Sequence, residues 1–177
     1  MLITGPDGTT ATVDHGGRLA SHCVTESHIG NHSKEYGNAY SWTTSLNLGG
    51  DKCYLYLRNE GDDPLIIDHI GIYAAAAATV ELWAGQNQIT SAGTAVTGFN
   101  LNIGSSNLAD VTCTHTETGA DAGGTLTLIK TIQCGATNKE TIDFKGALML
   151  PRLGEFAVNV VTDVTLASIT IYGFFEV

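Results

Sequence analysis

Short runs that alternate apolar and polar residues, each stopped by turn-forming residues, limit most strongly what this chain can become. Residues 53–59, CYLYLRN, put Cys53, Leu55 and Leu57 on one face and Tyr54, Tyr56 and Arg58 on the other. That period of two is the mark of a half-buried strand. The following NEGDDP carries glycine and proline and predicts a turn. LIIDHIGIY (65–73) resumes the strand pattern, with Ile66, Asp68, Ile70 and Ile72 set against Ile67, His69, Gly71 and Tyr73. One face is mixed, so alternation leaves the phase open. Five alanines at 74–78 have high helix propensity, but so short a run cannot nucleate a helix alone. Between two β-rich runs they predict a connection or a strand end, with a single helical turn as the alternative. Further strands are expected over 110–116, 125–132, 140–144, 156–161 and 167–177. TETGADAGG predicts a long polar hairpin tip, and LMLPRLGEF a turn at Pro151 and Gly154. The last run, ASITIYGFFEV, puts Ile169, Ile171, Gly173, Phe175 and Val177 on one face and belongs in a sheet interior. About ten such strands without a helical period predict an all-β fold, an antiparallel, jelly-roll-like β-sandwich.

A length of 177 residues suits one domain with a core of its own. Residues 1–38 show no period and predict an extended N-terminal arm, which would find its partners on a neighbouring subunit or surface. Residues 39–177 form the single sandwich domain. The formal charge of −10, without any cluster of lysine or arginine, argues against nucleic acid as a partner. No apolar window is long enough to span a membrane, and the N-terminal residues lack the basic and apolar regions of a signal peptide. Folding in a reducing cytoplasm is therefore expected. Of the four cysteines, Cys23, Cys53, Cys113 and Cys134, none forms a C-x-x-C pair. They are expected as free structural thiols, with a later disulfide as the alternative.

Catalytic signatures are missing. In ESHIGNHSKEYG, His28 and His32 stand four apart near Glu26, Glu35 and Tyr36. On a helix that spacing suits zinc, but Gly30 and Asn31 weaken a helix and the H-E-x-x-H order is absent. Solvent-facing or interface histidines are the expectation here, with His15 and His22 in the same irregular region; His69 and His115 lie in predicted strands and are expected as satisfied or exposed side chains. No G-x-S-x-G occurs. Glu117 and Asp121 lack the calcium-loop order, and Asp51, Glu60, Asp62 and Asp63 read as solvated turn acids, with a rim calcium site as the lesser alternative. No paired carboxylates suggest glycoside hydrolysis. The chain is thus expected to be no enzyme and to need no cofactor or metal.

The stretch GTAVTGFNLNIGSSNLAD (93–110) raises a different question. It alternates at Phe99, Leu101 and Ile103, which predicts burial of these three on one face. Yet Asn100 and Asn102 interleave them, and Ser105, Ser106 and Asn107 follow in a loop. Asparagine suits turns better than sheet interiors. One reading turns these amides outward to bond a neighbour's backbone; the other has them merely cover a wet surface.

Several of these segments together form a pattern: SKEYGNAYSW, CYLYLRNEGDDPLIIDHIGI, ATVELWAG, GTAVTGFNLNIGSSNLAD and the closing ITIYGFFEV. In this order the chain resembles the virion decoration (cement) and head structural proteins of tailed bacteriophages over most of residues 33–177. The histidine-rich arm and the four cysteines lie outside the pattern. The resemblance implies a homotrimer on the capsid surface, at three-fold or quasi-three-fold positions. It would join capsomers through contact with the major capsid protein, after folding in the host cytoplasm. Asn100, Asn102, Ser105, Ser106, Asn107, His28, His32 and Tyr36 are the expected interface residues. A receptor- or glycan-binding head of a tail fibre or spike is the alternative, with Trp42 and Trp83 stacking on sugars unless they are core residues. A hydrolase on a sandwich fold is the third reading, and no constellation of residues supports it.

Overall fold

A computed structural model describes residues 2–4, 10–12, 28–47, 52–86, 93–115, 126–162 and 167–176. Two short strands, β1 (Leu2–Thr4) and β2 (Thr10–Thr12), pair with each other. A helical turn, α1 (His28–Asn31), runs directly into a wider turn of π type at His32–Tyr36. The strands that follow are β3 (Ala39–Leu46), β4 (Lys52–Asn59), β5 (Leu65–Ala74), β6 (Ala78–Gln86), β7 (Thr94–Ala95), β8 (Phe99–Asn100) and β9 (Val111–His115). Then come β10 (Thr127–Cys134), β11 (Lys139–Leu150), β12 (Gly154–Val160) and β13 (Ala167–Phe175). Among the described residues, no helix is long and apolar enough to cross a membrane. Cys23, His15, His22, Glu26, Asp51, Glu117, Asp121, Val177 and the hairpin tip at 116–124 lie outside the described residues.

The main strands make two antiparallel sheets, ordered β11-β5-β13-β3-β8 and β10-β6-β12-β4-β9-β7. Successive strands β3, β4, β5 and β6 alternate between the sheets, and so do β10, β11, β12 and β13. This is the winding of a jelly roll, the all-β architecture expected from the alternation. Trp42, Leu55, Ile70, Leu82, Phe156 and Ile171 fill the space between the sheets. Ala74 ends β5 and Ala78 begins β6, so the alanine run is a connection. β13 lies between β5 and β3, in the interior of its sheet as its apolar face required.

Two bulges correct the facing read from strict alternation. Leu55 pairs with Val158 and Cys53 with Asn159, so Tyr54 is one residue too many on β4. An extra residue inverts the facing of everything beyond it. Tyr54 therefore joins Leu55 and Leu57 in the core, while Cys53 packs with Tyr56 on the opposite face. On β5, His69 pairs with Tyr172 and Ile67 with Gly173, leaving Asp68 extra. Ile67, Ile70 and Ile72 all point inward as a result, a set that neither simple phase contains.

The outer faces of the two sheets differ. On the five-stranded sheet, Ser41, Thr43, Ser45, Thr141, Ser168 and Thr170 are half-buried or exposed. The outer face of the six-stranded sheet carries Cys53, Tyr56 and Ala157, all buried, with Leu126 and the part-buried Trp83 packed among them. Glu155 and Asn159 share that face and are fully buried too.

Candidate functional site

The residues singled out in 93–110 gather at one end of the sandwich, around the carbonyl of Gly37. The π-type turn ends there because Gly37 adopts left-handed backbone angles (φ 61°, ψ 32°), with its N–H donating to the His32 carbonyl. A side chain at 37 would suffer twice: from that conformation and from Ser105 Oγ, which would lie 2.7 Å from its Cβ. Asn100 Nδ2 donates to Gly37 O at 2.9 Å and to Asn107 O at 3.0 Å. Ser105 Oγ donates to Gly37 O at 3.2 Å, and Asn107 Nδ2 reaches Tyr36 O at 3.3 Å.

The same side chains also shape their own loop. Asn100 Oδ1 accepts from the Asn102 N–H, Asn102 Oδ1 from the Gly104 N–H, and Ser105 Oγ from the Asn107 N–H, each two residues on. Such local bonds compete with the sheet ladder. This is why β8 pairs with β3 through Phe99 and Asn100 alone and the chain then turns. The expected burial of Phe99, Leu101 and Ile103 on one face is accordingly corrected. Leu101 packs beside Ala39, Ile66 and Phe174, whereas Phe99 is 58 % and Ile103 86 % exposed. Both amide hydrogens of Asn100 are engaged inside the chain.

His32 belongs to the same assembly. Its ring stacks on Phe174 at 4.2 Å, and its Nδ1 lies 3.3 Å from Asn38 Oδ1. Asn38 Nδ2 donates to Phe175 O at 2.6 Å, tying the turn to β13. Tyr36 is exposed, as is Ser106. His28 begins α1, and its side chain is not among those described.

This frame holds apolar side chains outward: Tyr36, already an expected interface residue, and three others that the alternation did not mark as exposed. Tyr36 (52 %), Phe99, Ile103 and Leu108 (88 %) are all exposed. Tyr36 and Leu108 share a cavity of about 540 Å³ with Tyr40, Phe175 and the acids Asp62, Asp63 and Asp110. A signal was present: Asn-x-Asn and Gly-Ser-Ser, which favour turns, interrupt the apolar alternation and release it from the sheet.

Other expected features take ordinary places. Trp42 is buried in the core, and Trp83 is part-buried with its Nε1–H donating to Glu81 Oε2 at 3.2 Å. Trp42 thus takes the core position, while Trp83 keeps part of its surface accessible. Cys53, Cys113 and Cys134 are buried, and none is in a disulfide among the described residues. Burial pushes the Cys113 thiol well above its usual range, with nearby Cys53 adding to the shift. Asp62 pairs with Arg152 at 2.8 Å, and Asn59 holds the turn through Asp63 O and Leu150 O. Among the described residues, no group of three or more His, Cys, Asp or Glu converges to hold a metal ion.

No family model and no curated protein matches the chain. Among solved structures it is similar to a chain of "Israeli acute paralysis virus heated to 63 degree - full particle", with 11 % identity and a TM-score of 0.28, over 98 % of this chain and 78 % of that one. At that score the likeness carries no argument about fold or function. The jelly roll does not decide the matter either, because the architecture serves capsid, lectin and enzyme domains alike.

Proposed function

We propose that the chain is a non-enzymatic virion structural protein that binds the outer capsid surface as a decoration protein and joins capsomers as a homotrimer. One observation carries this reading. The Gly37-centred network uses its polar groups internally and holds Tyr36, Phe99, Ile103 and Leu108 exposed on a braced loop. Apolar side chains kept outward in this way mark contact surfaces. Bracing lowers the ordering cost of binding, and symmetric repetition multiplies modest contacts. The ordered resemblance of the sequence to phage head proteins supports the same role.

Quantitative mass spectrometry of purified particles tests it. A ratio to the major capsid protein near one, or a simple fraction of one, is the expected result. A handful of copies per particle would move the protein to a tail or receptor-binding role, and its absence from particles would defeat both. In parallel, Ile103→Asp with Leu108→Asp should leave the melting temperature unchanged and remove the protein from particles.

A further inference from the structure

Gly71 lies in the middle of β5 and pairs in register with Thr141 on one side and Thr170 on the other. Nothing in the geometry of the described residues calls for a glycine there. Its φ is outside the left-handed region, and the bulge on this strand is at Asp68. Among the described residues, no atom comes within 4 Å of where its Cβ would stand. A glycine inside a strand costs about 0.5–1 kcal/mol relative to alanine. Where neither bulge nor bend explains it, the remaining uses are close approach by another backbone, of which the described residues bring none, or by a ligand.

The missing side chain leaves a hollow of about 300 Å³ on the outer face of the five-stranded sheet. One end is walled by His69 and Tyr172, stacked at 4.3 Å with their planes 18° apart. Asp68 Oδ2 holds that imidazole, 2.8 Å from Nδ1. Tyr73 and its cross-strand partner Lys139 close the other end. Thr141, Thr170 and Ser168 supply hydroxyls along the sides. Thr43 Oγ1 donates to Thr170 Oγ1 at 3.0 Å, so Thr170 keeps its own O–H to give away.

The chemistry narrows the occupant. The backbone under the hollow is engaged in plane by β11 and β13, so a peptide lying across it gains no main-chain bonds; that mode belongs to sheet edges. Threonine, serine and lysine make a poor bed for an acyl chain. Lys139 stands at one end and Asp143, opposite His69 in the strand register, at the other, so no field of one sign favours an anion. A ring with apolar C–H faces and several hydroxyls matches both the aromatic walls and the threonine sides.

We propose that this hollow is a saccharide site, in which one neutral pyranose ring sits over Gly71 between the His69–Tyr172 pair and Tyr73. The test uses the full chain and a panel of glucan, galactan and mannan hexasaccharides, with a uronic-acid hexasaccharide alongside, followed by amide chemical shifts. At least one neutral probe should shift Gly71, Thr141 and Thr170 together. Gly71→Thr fills the hollow with a good strand former. It should keep the melting temperature and weaken that binding at least tenfold. Thr170→Val, which keeps the shape and removes the hydroxyl, should weaken it several-fold and serves if Gly71→Thr does not fold. Silence from every neutral probe, binding by the uronic probe alone, shifts centred elsewhere, or undiminished binding by both variants would overturn the proposal.

Discussion

β12 and β13 occupy the same station, each the inner strand between two long neighbours, yet they live in different surroundings. Every residue of β12 is buried, on both faces. Residues 167–172 of β13 alternate between buried and half-buried, with the hydroxyl-rich outer surface of the five-stranded sheet on one side. Two strands built to the same plan thus face different solvents. An outward position means water in one sheet and an interior in the other, and the polarity of a side chain does not tell which. Glu155 and Asn159 look like solvent-facing residues and are fully buried.

The sharpest way to break this comparison is to place a charge at one outward position of each sheet. Ala157→Asp buries an uncompensated carboxylate and should cost about 3–5 kcal/mol, enough to unfold the domain or nearly so. Ser45→Asp, outward on the five-stranded sheet, should cost under about 1 kcal/mol. Urea unfolding of both variants decides it, and equal losses would erase the distinction between the faces.

A smaller effect is expected at Asn159, whose buried amide nitrogen and oxygen have no hydrogen-bond partner among the described residues. Asn159→Leu removes that unmet demand at similar volume. Stability should be unchanged or rise by up to about 2 kcal/mol. A loss would mean that the amide is engaged after all.

The smallest effect concerns alkali. The described cysteines sit on β4, β9 and β10, all in the six-stranded sheet. Burial raises the Cys113 and Cys134 thiols above the ordinary value of 9.0, helped at Cys134 by the charge of Glu140. For a group whose folded pKa is raised, the stabilisation is fully present below the unfolded value and is lost as pH climbs past it. Stability should therefore decline above about pH 9. Cys113→Val should flatten that slope in equilibrium unfolding at stepped pH, whereas a substitution such as Ser45→Ala in the other sheet should leave it alone.

Much of the fold was legible in the residues. The turns at NEGDDP and LMLPRLGEF, the alanine connection and the inner station of β13 follow from alternation and breakers. Two kinds of feature were not. A bulge inserts one residue without any mark in composition, and at Tyr54 and Asp68 that was enough to invert the facing of Cys53 and to gather Ile67, Ile70 and Ile72. The second kind is competition. Asn100 and Asn102 could serve a ladder or their own turn, and the choice depended on Gly37, more than sixty positions away. Gly71 was visible as a letter, but its hollow needed Thr141 and Thr170 on either side, which no local window contains.

The winding has a consequence for the order in which the chain is made. None of β3, β4, β5 and β6 pairs with another of those four. β3 and β5 are joined by β13, and β4 and β6 by β12, which follow all the other strands among the described residues. Until β12 and β13 have been made, each of these four apolar strands keeps one edge unpaired. Neither sheet can be completed until its inner strand has been made, because that strand alone joins the two parts of each. The interval before it is when sister chains on one messenger are most exposed to one another.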